Sequence, residues 1–181
     1  MTVTLGERVE YRDDFTRFFI DTEFYEDGQT IDLISLGVVC SDGREFYAVN
    51  QDAKLHLVST WVRENVLPQL PPYGDAVWKA RDTIRFDFEY FVRSTGPVGP
   101  FEFWGYYADY DWVVLCQLFG TMMRLPNFFP KYCLDLKQLS YMLGSPKHPS
   151  QKTAEHNALE DARWNRKLFE FLRGVKTGGG Q

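Results

Sequence analysis

The sequence predicts an α/β fold: a mixed five-stranded sheet that begins as an antiparallel meander and has helices packed on it. Two Asp-Gly pairs, Asp27-Gly28 and Asp42-Gly43, separate three apolar runs, and an Asp-Gly pair between such runs is typical of a β-hairpin. After residue 100, segments with strand and helix character alternate. A meander followed by this alternation indicates one α/β domain, which fits a chain of 181 residues.

The elements of the first half follow from periodicity and turn signals. The meander strands are predicted at 17–25, 30–40 and 45–50, rich in aromatic and β-branched residues. A helix is expected at about 55–66, ended near Pro68, and a second at about 83–93 with Asp82 as its N-cap.

The second half is predicted to alternate strands and helices. Strands are expected at 101–107 and 131–136, a buried helix at 112–123, a short helix at 137–143 and a final helix at 158–173. The domain is thus placed at 17–174. An N-terminal extension, 1–16, precedes it, and the Gly-rich tail, 175–181, is expected to be disordered.

Composition argues against membrane and secreted classes. No apolar run approaches the roughly 18 residues of a membrane span, and the polar, acidic start is unlike a signal peptide. The three cysteines form no CxxC pair and lie in apolar stretches, which indicates reduced, buried thiols and a cytoplasmic protein. No association with a membrane is expected.

The formal net charge of −5 argues against a protein that binds long duplex DNA through electrostatic attraction alone. Clustered acids that hold divalent cations would change this balance, because two bound Mg²⁺ ions add four positive charges and bring −5 to −1. An enzyme that acts on phosphodiesters through metal ions is therefore compatible with the composition.

Two acids lie in the middle of the aromatic-rich first strand. Side chains alternate faces along a strand, so Asp21 and Glu23 point the same way and can converge on one cation. Like charges on one face repel unless a positive charge lies between them, and no basic residue is near in sequence. The pair would also fit the solvated face of an edge strand, since Asp-x-Glu is common by itself.

A third acid, Asp111, immediately precedes the predicted buried helix. Aspartate is a favoured N-cap, and a cap can also be a metal ligand, because α/β folds place active groups where a helix starts after a strand. Asp109 is the competing acid. Asp111 is preferred because apolar residues at i+3, i+4 and i+7 continue its helical stripe, whereas Asp109 is expected to lie in the preceding loop.

A fourth acid lies in the apolar stripe of the final helix. Asp161 shares the i, i+3/i+4 pattern of that stripe, where an unpaired carboxylate is unfavourable. His156 precedes it by five positions, about 140° around a helix, so it is expected to face the same cleft from the flanking loop. Taken alone, a histidine there could equally be a capping or surface residue.

Together these motifs resemble a known family. Asp-x-Glu on the first strand, an Asp at a mid-chain helix and His-x-x-x-x-Asp at the last helix are similar to the DEDD 3′–5′ exonucleases of RNase H-like fold. His156 indicates the DEDDh subgroup, which includes ribonuclease T, oligoribonuclease and polymerase proofreading subunits. The other subgroup has a tyrosine where this chain has Asn157. The resemblance covers about 18–172.

Several segments show a narrower likeness. Asp-Thr-Glu-Phe at 21–24 and the runs 30–39, 43–49 and 110–120 resemble small actinobacterial and phage RNase T-like, polyadenylate-specific 3′-exoribonucleases. Such exonucleases are often dimers, which suggests a homodimer. Trp61, Trp78 and Phe128 could serve that interface, although core packing is the expected role of each.

The resemblance implies a site and a reaction. Two Mg²⁺ or Mn²⁺ ions would bind to Asp21, Glu23, Asp111 and Asp161, and His156 would be the general base in hydrolysis of the terminal phosphodiester. Nucleoside 5′-monophosphates would be released from single-stranded 3′ ends.

The resemblance also implies which residues contact substrate: Thr22, Glu23 and Phe24, together with His156, at the terminal nucleotide. An aromatic ring is a natural surface for stacking a base, although strand parity fits a core role for Phe24 as well. Basic residues that could contact phosphate are Arg81, Arg85, Lys147 and Lys152, and the sequence assigns none of them a role.

Three functions are compatible with the sequence. RNA is the favoured substrate, single-stranded DNA is the alternative with the same chemistry, and a catalytically silent nucleic-acid-binding domain is the third. The sequence does not separate RNA from DNA, because recognition of the 2′-hydroxyl depends on one or two contacts. The intact set of acids argues against a silent domain.

Overall fold

A computed structural model of the chain contains one sheet between two layers of helices. The structure describes residues 14–94, 100–151 and 155–175. The strands are β1 (Thr16–Glu26), β2 (Ile31–Cys40), β3 (Glu45–Asn50), β4 (Trp78–Lys79), β5 (Phe101–Gly105) and β6 (Leu134–Asp135). The helices are α1 (Thr60–Asn65), α2 (Arg81–Arg93), α3 (Asp109–Leu118), α4 (Leu136–Met142) and α5 (Ala158–Gly174).

The strand order is β4-β3-β2-β1-β5-β6. The antiparallel meander β1-β2-β3 forms the centre, and β4, β5 and β6 each pair in parallel with their neighbour. The predicted mixed α/β sheet with an antiparallel start is confirmed. It has six strands in the described part of the chain rather than five, because the two-residue β4 is too short to leave a periodic signal in the sequence.

Strand parity divides the core between the two faces of the sheet. Phe18 and Ile20 of β1 belong to a large cluster under α2 and α3, whereas Phe19 belongs to a smaller cluster under α4 and α5. Both clusters are rich in aromatic rings. Since Asp21 and Glu23 follow Phe19 in the same alternation, β1 presents its acids towards the α5 side.

Some predicted helix boundaries were wrong, and local capping explains them. The first helix starts at Thr60 rather than near residue 55, because the Ser59 hydroxyl accepts from the Val62 N–H and caps it there. The second starts at Arg81, with Ala80 at the N-cap position and no side-chain cap, so Asp82 lies inside the first turn instead of capping it.

The buried helix was predicted at 112–123 and is observed at Asp109–Leu118. It ends early because Gly120 takes a left-handed conformation, with φ of 92°, just beyond its C-terminus. Its earlier start puts Asp111 within the first turn rather than ahead of the helix. The N-cap position is occupied by Ala108, so the capping role considered for Asp111 is wrong.

Other expectations have mixed outcomes. Cys40, Cys116 and Cys133 are free thiols, as predicted, although Cys133 is only half-buried. Trp61 is exposed rather than in the core, with a relative accessibility of 54%.

The proposed extension, 1–16, and the tail, 175–181, lie almost entirely outside the described residues and stay predictions. Across the described residues, every helix is too short or too polar to cross a lipid bilayer.

Candidate active site

Three of the predicted acids converge where α5 crosses β1. Carboxylate oxygens of Asp21, Glu23 and Asp161 all lie within 4.8 Å of one another. Asp21 and Glu23 come from the same face of β1, as strand alternation requires, and Asp161 comes from the first turn of α5. Three oxygen ligands at this spacing are suited to a hard divalent cation such as Mg²⁺ or Mn²⁺.

A glycine allows α5 to approach the sheet. Gly37 of β2 pairs directly with Asp21 of β1, and a Cβ atom at Gly37 would lie 2.1 Å from the carbonyl oxygen of Ala158, the first residue of α5. No side chain fits between them. The start of α5 therefore rests on the bare backbone of β2, which brings Asp161 to the acids of β1.

Asp111 is fixed next to this cluster by the first strand. The backbone N–H and the hydroxyl of Thr22 both donate to Asp111 Oδ1, at 2.8 and 2.6 Å. Asp111 is buried, whereas Asp109 is exposed at the first position of α3. The structure thus places Asp111, and not Asp109, beside β1, although its oxygens are not part of the 4.8 Å cluster.

The start of α3 is held from a second direction. Asp135, at the end of β6, accepts a hydrogen bond from the Ala108 N–H at 2.8 Å and also caps α4 through the Gln138 N–H. One carboxylate therefore joins β6, α3 and α4. This contact holds the start of α3, on which Asp111 lies, and no sequence pattern predicts it.

His156 is on the loop that leads into α5, as predicted. Its backbone is left-handed, with φ of 67°, a conformation that is unfavourable for a residue with a side chain and often marks functional sites. Its N–H donates to Asp161 Oδ2 at 2.9 Å. The imidazole packs edge-on against the Trp61 ring, with ring centroids 4.8 Å apart.

A cavity of about 350 Å³ opens onto the acids. Two of the four metal-binding candidates and the histidine line it, and the lining residues are Asp21, Asp161, His156, Glu155, Gln151, Tyr106, Trp164 and Asn165. No lysine or arginine is among these described lining residues. The described wall of the cavity therefore concentrates negative charge without a lysine or arginine to balance it.

The electrostatic consequence is a raised pKa for all four acids. Burial, and then the neighbouring carboxylates, raises the pKa of Asp21 well above its usual value and that of Glu23 to about 8. Burial raises the pKa of Asp111 to about 6 despite the hydrogen bonds from Thr22. Burial also raises the pKa of Asp161, against the hydrogen bonds from Gln151 and His156. Such a site favours binding of positive charge.

These shifts predict how the metal-free protein responds to pH. Each acid has a higher pKa in the folded chain than in the unfolded chain, so its contribution to stability is present at low pH and is lost as pH rises through the folded pKa. We expect the melting temperature in EDTA to fall on the order of 5 °C between pH 5.5 and pH 8.5.

Added Mg²⁺ or Mn²⁺ should remove most of that fall, because cations neutralise the ionised carboxylates. Thermal unfolding followed by circular dichroism at both pH values, with and without metal, measures the effect. A metal-free melting temperature that rises over this pH interval would contradict the electrostatic description of the site.

Sequence reasoning missed two contributors to the site. Gly37 interrupts a strand rich in apolar and β-branched residues, and an isolated glycine within a strand is a known signal of close backbone approach. Trp61 gave no usable signal, because only the fold brings α1 to the loop that carries His156.

The residues predicted to bind substrate contact other side chains of the protein. The Thr22 side chain is buried and bonded to Asp111, so its hydroxyl faces a protein carboxylate. Phe24 stacks on Tyr110, with centroids 5.7 Å apart and ring planes 9° from parallel. Tyr110 is more than half exposed and therefore adds an accessible aromatic surface beside the site. The roles of Thr22, Glu23 and Phe24 in substrate binding stay predictions.

Comparison with known proteins identifies the family. The Rv2179c-like 3′-5′ exoribonuclease domain family matches residues 16–173. The chain belongs to this family. Within the Rv2179c-like family, it is similar to the 3′-5′ exoribonuclease Rv2179c of Mycobacterium tuberculosis H37Rv, with 43% identity over 163 residues that cover 90% of this chain and 96% of that protein. The predicted resemblance to 3′–5′ exonucleases is confirmed.

Solved structures agree on the fold. The nuclease domain of 3′hExo, described as a DEDDh family member bound to rAMP, superposes with a TM-score of 0.56 at 13% identity over 93% of this chain and 98% of that one. The Mg²⁺- and Mn²⁺-bound form of S. pombe Pop2p superposes with a TM-score of 0.60 at 12% identity, over 92% and 86% of the two chains. This Rv2179c-like chain has the predicted RNase H-like fold.

Proposed function

We propose that this chain is a metal-dependent 3′–5′ exoribonuclease that releases nucleoside 5′-monophosphates from the 3′ ends of single-stranded RNA. The observation that carries the proposal is the convergence of Asp21, Glu23 and Asp161 within 4.8 Å. The cluster adjoins a cavity that His156 also lines and whose described lining residues include no lysine or arginine. Membership of an exoribonuclease family supports RNA as the substrate.

The acids fit a pair of divalent cations. Asp21, Glu23 and Asp161 would hold the cations together with Asp111, which Thr22 orients towards the same region. When bound, Mg²⁺ or Mn²⁺ would supply a more acidic attacking water and would stabilise charge on the leaving 3′ oxygen. Asp111 would contribute charge from its fixed position, since both donors of Thr22 restrict its rotation.

His156 would act as the general base and take the proton of the attacking water. Imidazole exchanges protons readily near neutral pH, and the loop position leaves the ring at the wall of the cavity that contains Asp21 and Asp161. The hydrogen bond from the His156 N–H to Asp161 fixes the backbone, while the ring can turn about its side-chain bonds. Trp61 limits this movement on one side.

The direct test uses single-stranded RNA and DNA of the same sequence, each labelled at the 5′ end, with Mg²⁺ or Mn²⁺. The expected result is a ladder of RNA products shortened from the 3′ end, with loss of activity in EDTA. If the DNA is shortened faster than the RNA, single-stranded DNA is the preferred substrate instead of RNA. If neither strand is shortened with added metal, the proposed exonuclease activity is refuted. A catalytically silent nucleic-acid-binding domain would then be the remaining function.

Replacement of the general base provides a further prediction. We expect His156→Ala to lower kcat by about 10²–10⁴-fold, because proton transfer then relies on solvent. Binding of Mn²⁺, measured by calorimetry, should be unchanged, since the side chain of His156 is not among the clustered ligands. His56→Ala, at an exposed loop histidine, is the matched control and should retain wild-type activity. An unimpaired His156→Ala enzyme would exclude the base role.

We infer in addition that the protein acts in the cytoplasm and forms a homodimer. The free state of all three cysteines supports a reducing compartment. The dimer follows only from the resemblance to other small exonucleases, and sedimentation equilibrium would test it.

A further inference from the structure

A second, larger groove lies along α2, away from the catalytic cavity. We call it the α2 groove; its volume is about 810 Å³. One wall is a stripe of α2 formed by Arg81, Arg85, Glu89 and Arg93, which recur at every fourth position; the first three are half-buried and Arg93 is exposed. The other wall is the end of α3 and the segment that follows it, which includes Arg124.

The charge of this groove is opposite to that of the chain. Four arginines line it, at positions 81, 85, 93 and 124, against two acids, Asp82 and Glu89, which leaves a formal charge of +2 among the lining residues and +1 once Asp32, the partner of Arg81, is counted. The chain as a whole carries −5. A basic groove on an otherwise acidic protein attracts a polyanion such as RNA to that groove, while the rest of the surface repels it.

Two of the four arginines are held by protein partners and shape the groove. Arg81 bonds to Asp32 at 2.5 Å, and Arg93 bonds to Glu89 at 2.8 Å while it lies over the Phe128 ring. These pairs fix the groove ends, and their charges are largely balanced.

The other two arginines are available to a ligand. Arg85 is 3.8 Å from the highly exposed Asp82, a long contact of little energetic weight, and its guanidinium carbon lies over the Phe86 ring, 4.0 Å from the centroid. Arg124 forms no ion pair with any residue in the described ranges; its side chain lies beside Gly120. The two unbalanced guanidinium groups thus come from opposite walls of the groove.

The groove is connected to the catalytic site by two elements. Asp111, which Thr22 holds beside the acids, lies near the start of α3, and Gln117, about 9 Å further along that helix, lines the groove. In addition, Asp32, the partner of Arg81, pairs with Tyr25, only two residues beyond Glu23 on β1. An RNA whose 3′ end reaches the acids would therefore have to pass the start of α3 to enter the groove, which lies on the α2–α3 side of the sheet.

We propose that the α2 groove binds the phosphodiester backbone of the RNA upstream of the nucleotide being removed, with Arg85 and Arg124 as the phosphate contacts. The proposal rests on RNA as the substrate of the catalytic site. Guanidinium groups pair with phosphate in a directional, charge-assisted way, and a positive groove with an aromatic wall, here Phe128, is typical of single-strand binding.

The test compares long and short substrates with the double variant Arg85→Gln/Arg124→Gln. A 20-nucleotide RNA extends into the groove, and a dinucleotide does not. We expect KM for the 20-nucleotide RNA to rise about tenfold with kcat unchanged, and both constants for the dinucleotide to stay the same. The slope of log affinity against log salt should become shallower by about 1.4 for the long RNA, since each contact to a single strand accounts for about 0.7.

The matched control is Arg166→Gln/Lys167→Gln, which removes the same formal charge from α5, far from the groove residues in the chain, and should leave KM for both RNAs unchanged. An equal loss for both RNAs, or no loss for either, would overturn the proposal. Fluorescence anisotropy of the labelled 20-nucleotide RNA in EDTA makes the same comparison without hydrolysis. If wild-type protein shortens no RNA, the exonuclease proposal fails, while the anisotropy comparison still decides the groove.

Discussion

Asp21→Asn is expected to abolish RNA shortening while it raises the melting temperature of the metal-free protein. Activity should fall because the site loses a charged ligand at the centre of the cluster. Metal ions supply several kcal/mol of charge stabilisation to such reactions, and a loss of that size corresponds to about 10³-fold in kcat. Stability should rise because the variant removes a buried charge that faces Asp111, Asp161 and Glu23.

The two effects are measured separately, by exonuclease assay with Mn²⁺ and by thermal unfolding in EDTA at pH 8. For a chain of this size, each kcal/mol of added stability raises the melting temperature by about 2–4 °C. Asp109→Asn is the matched control, since Asp109 is exposed, and we expect it to change neither quantity. A lower metal-free melting temperature for Asp21→Asn would mean that the carboxylate has a structural role instead.

Gly37→Ala is expected to disrupt the site without touching a catalytic group. The added methyl group would lie 2.1 Å from the Ala158 carbonyl oxygen, and the nearest atoms belong to backbone that no rotamer change can move. The start of α5 must therefore shift away from β2. Overpacking of this kind costs about 1–3 kcal/mol or more, and the variant should melt at least about 4 °C lower.

The shift of α5 also carries Asp161 away from the acids of β1. Misplacement of a reacting group by about 1 Å can cost about 10²-fold in rate, so kcat should fall by at least that factor even where the variant is fully folded. Gly174→Ala is the control: it lies at the other end of the same helix, where a Cβ meets nothing within 4 Å. A Gly37→Ala protein with wild-type stability and rate would disprove the close-contact account of α5.

The sequence alone determined those features that depend on local periodicity. Alternation along β1 put Asp21 and Glu23 on one face, and the stripe of α5 put Asp161 on the side that meets the sheet. The loop position of His156 agrees with the expectation from spacing, since a residue five positions before Asp161 cannot share its helix face. Short-range geometry is sufficient for each, because the relevant side chains lie within one element.

Only the tertiary structure decided the features that join distant elements. It joined Asp111, already preferred from the sequence, to β1 through the two hydrogen bonds of Thr22, 89 residues away, and it brought Trp61 to His156. It also showed that Gly37 lets α5 rest on β2 and that arginines from α2 and from the segment after α3 face one groove. A sequence pattern reports which face of an element a residue occupies. Which element covers that face depends on packing, and packing is a property of the whole fold.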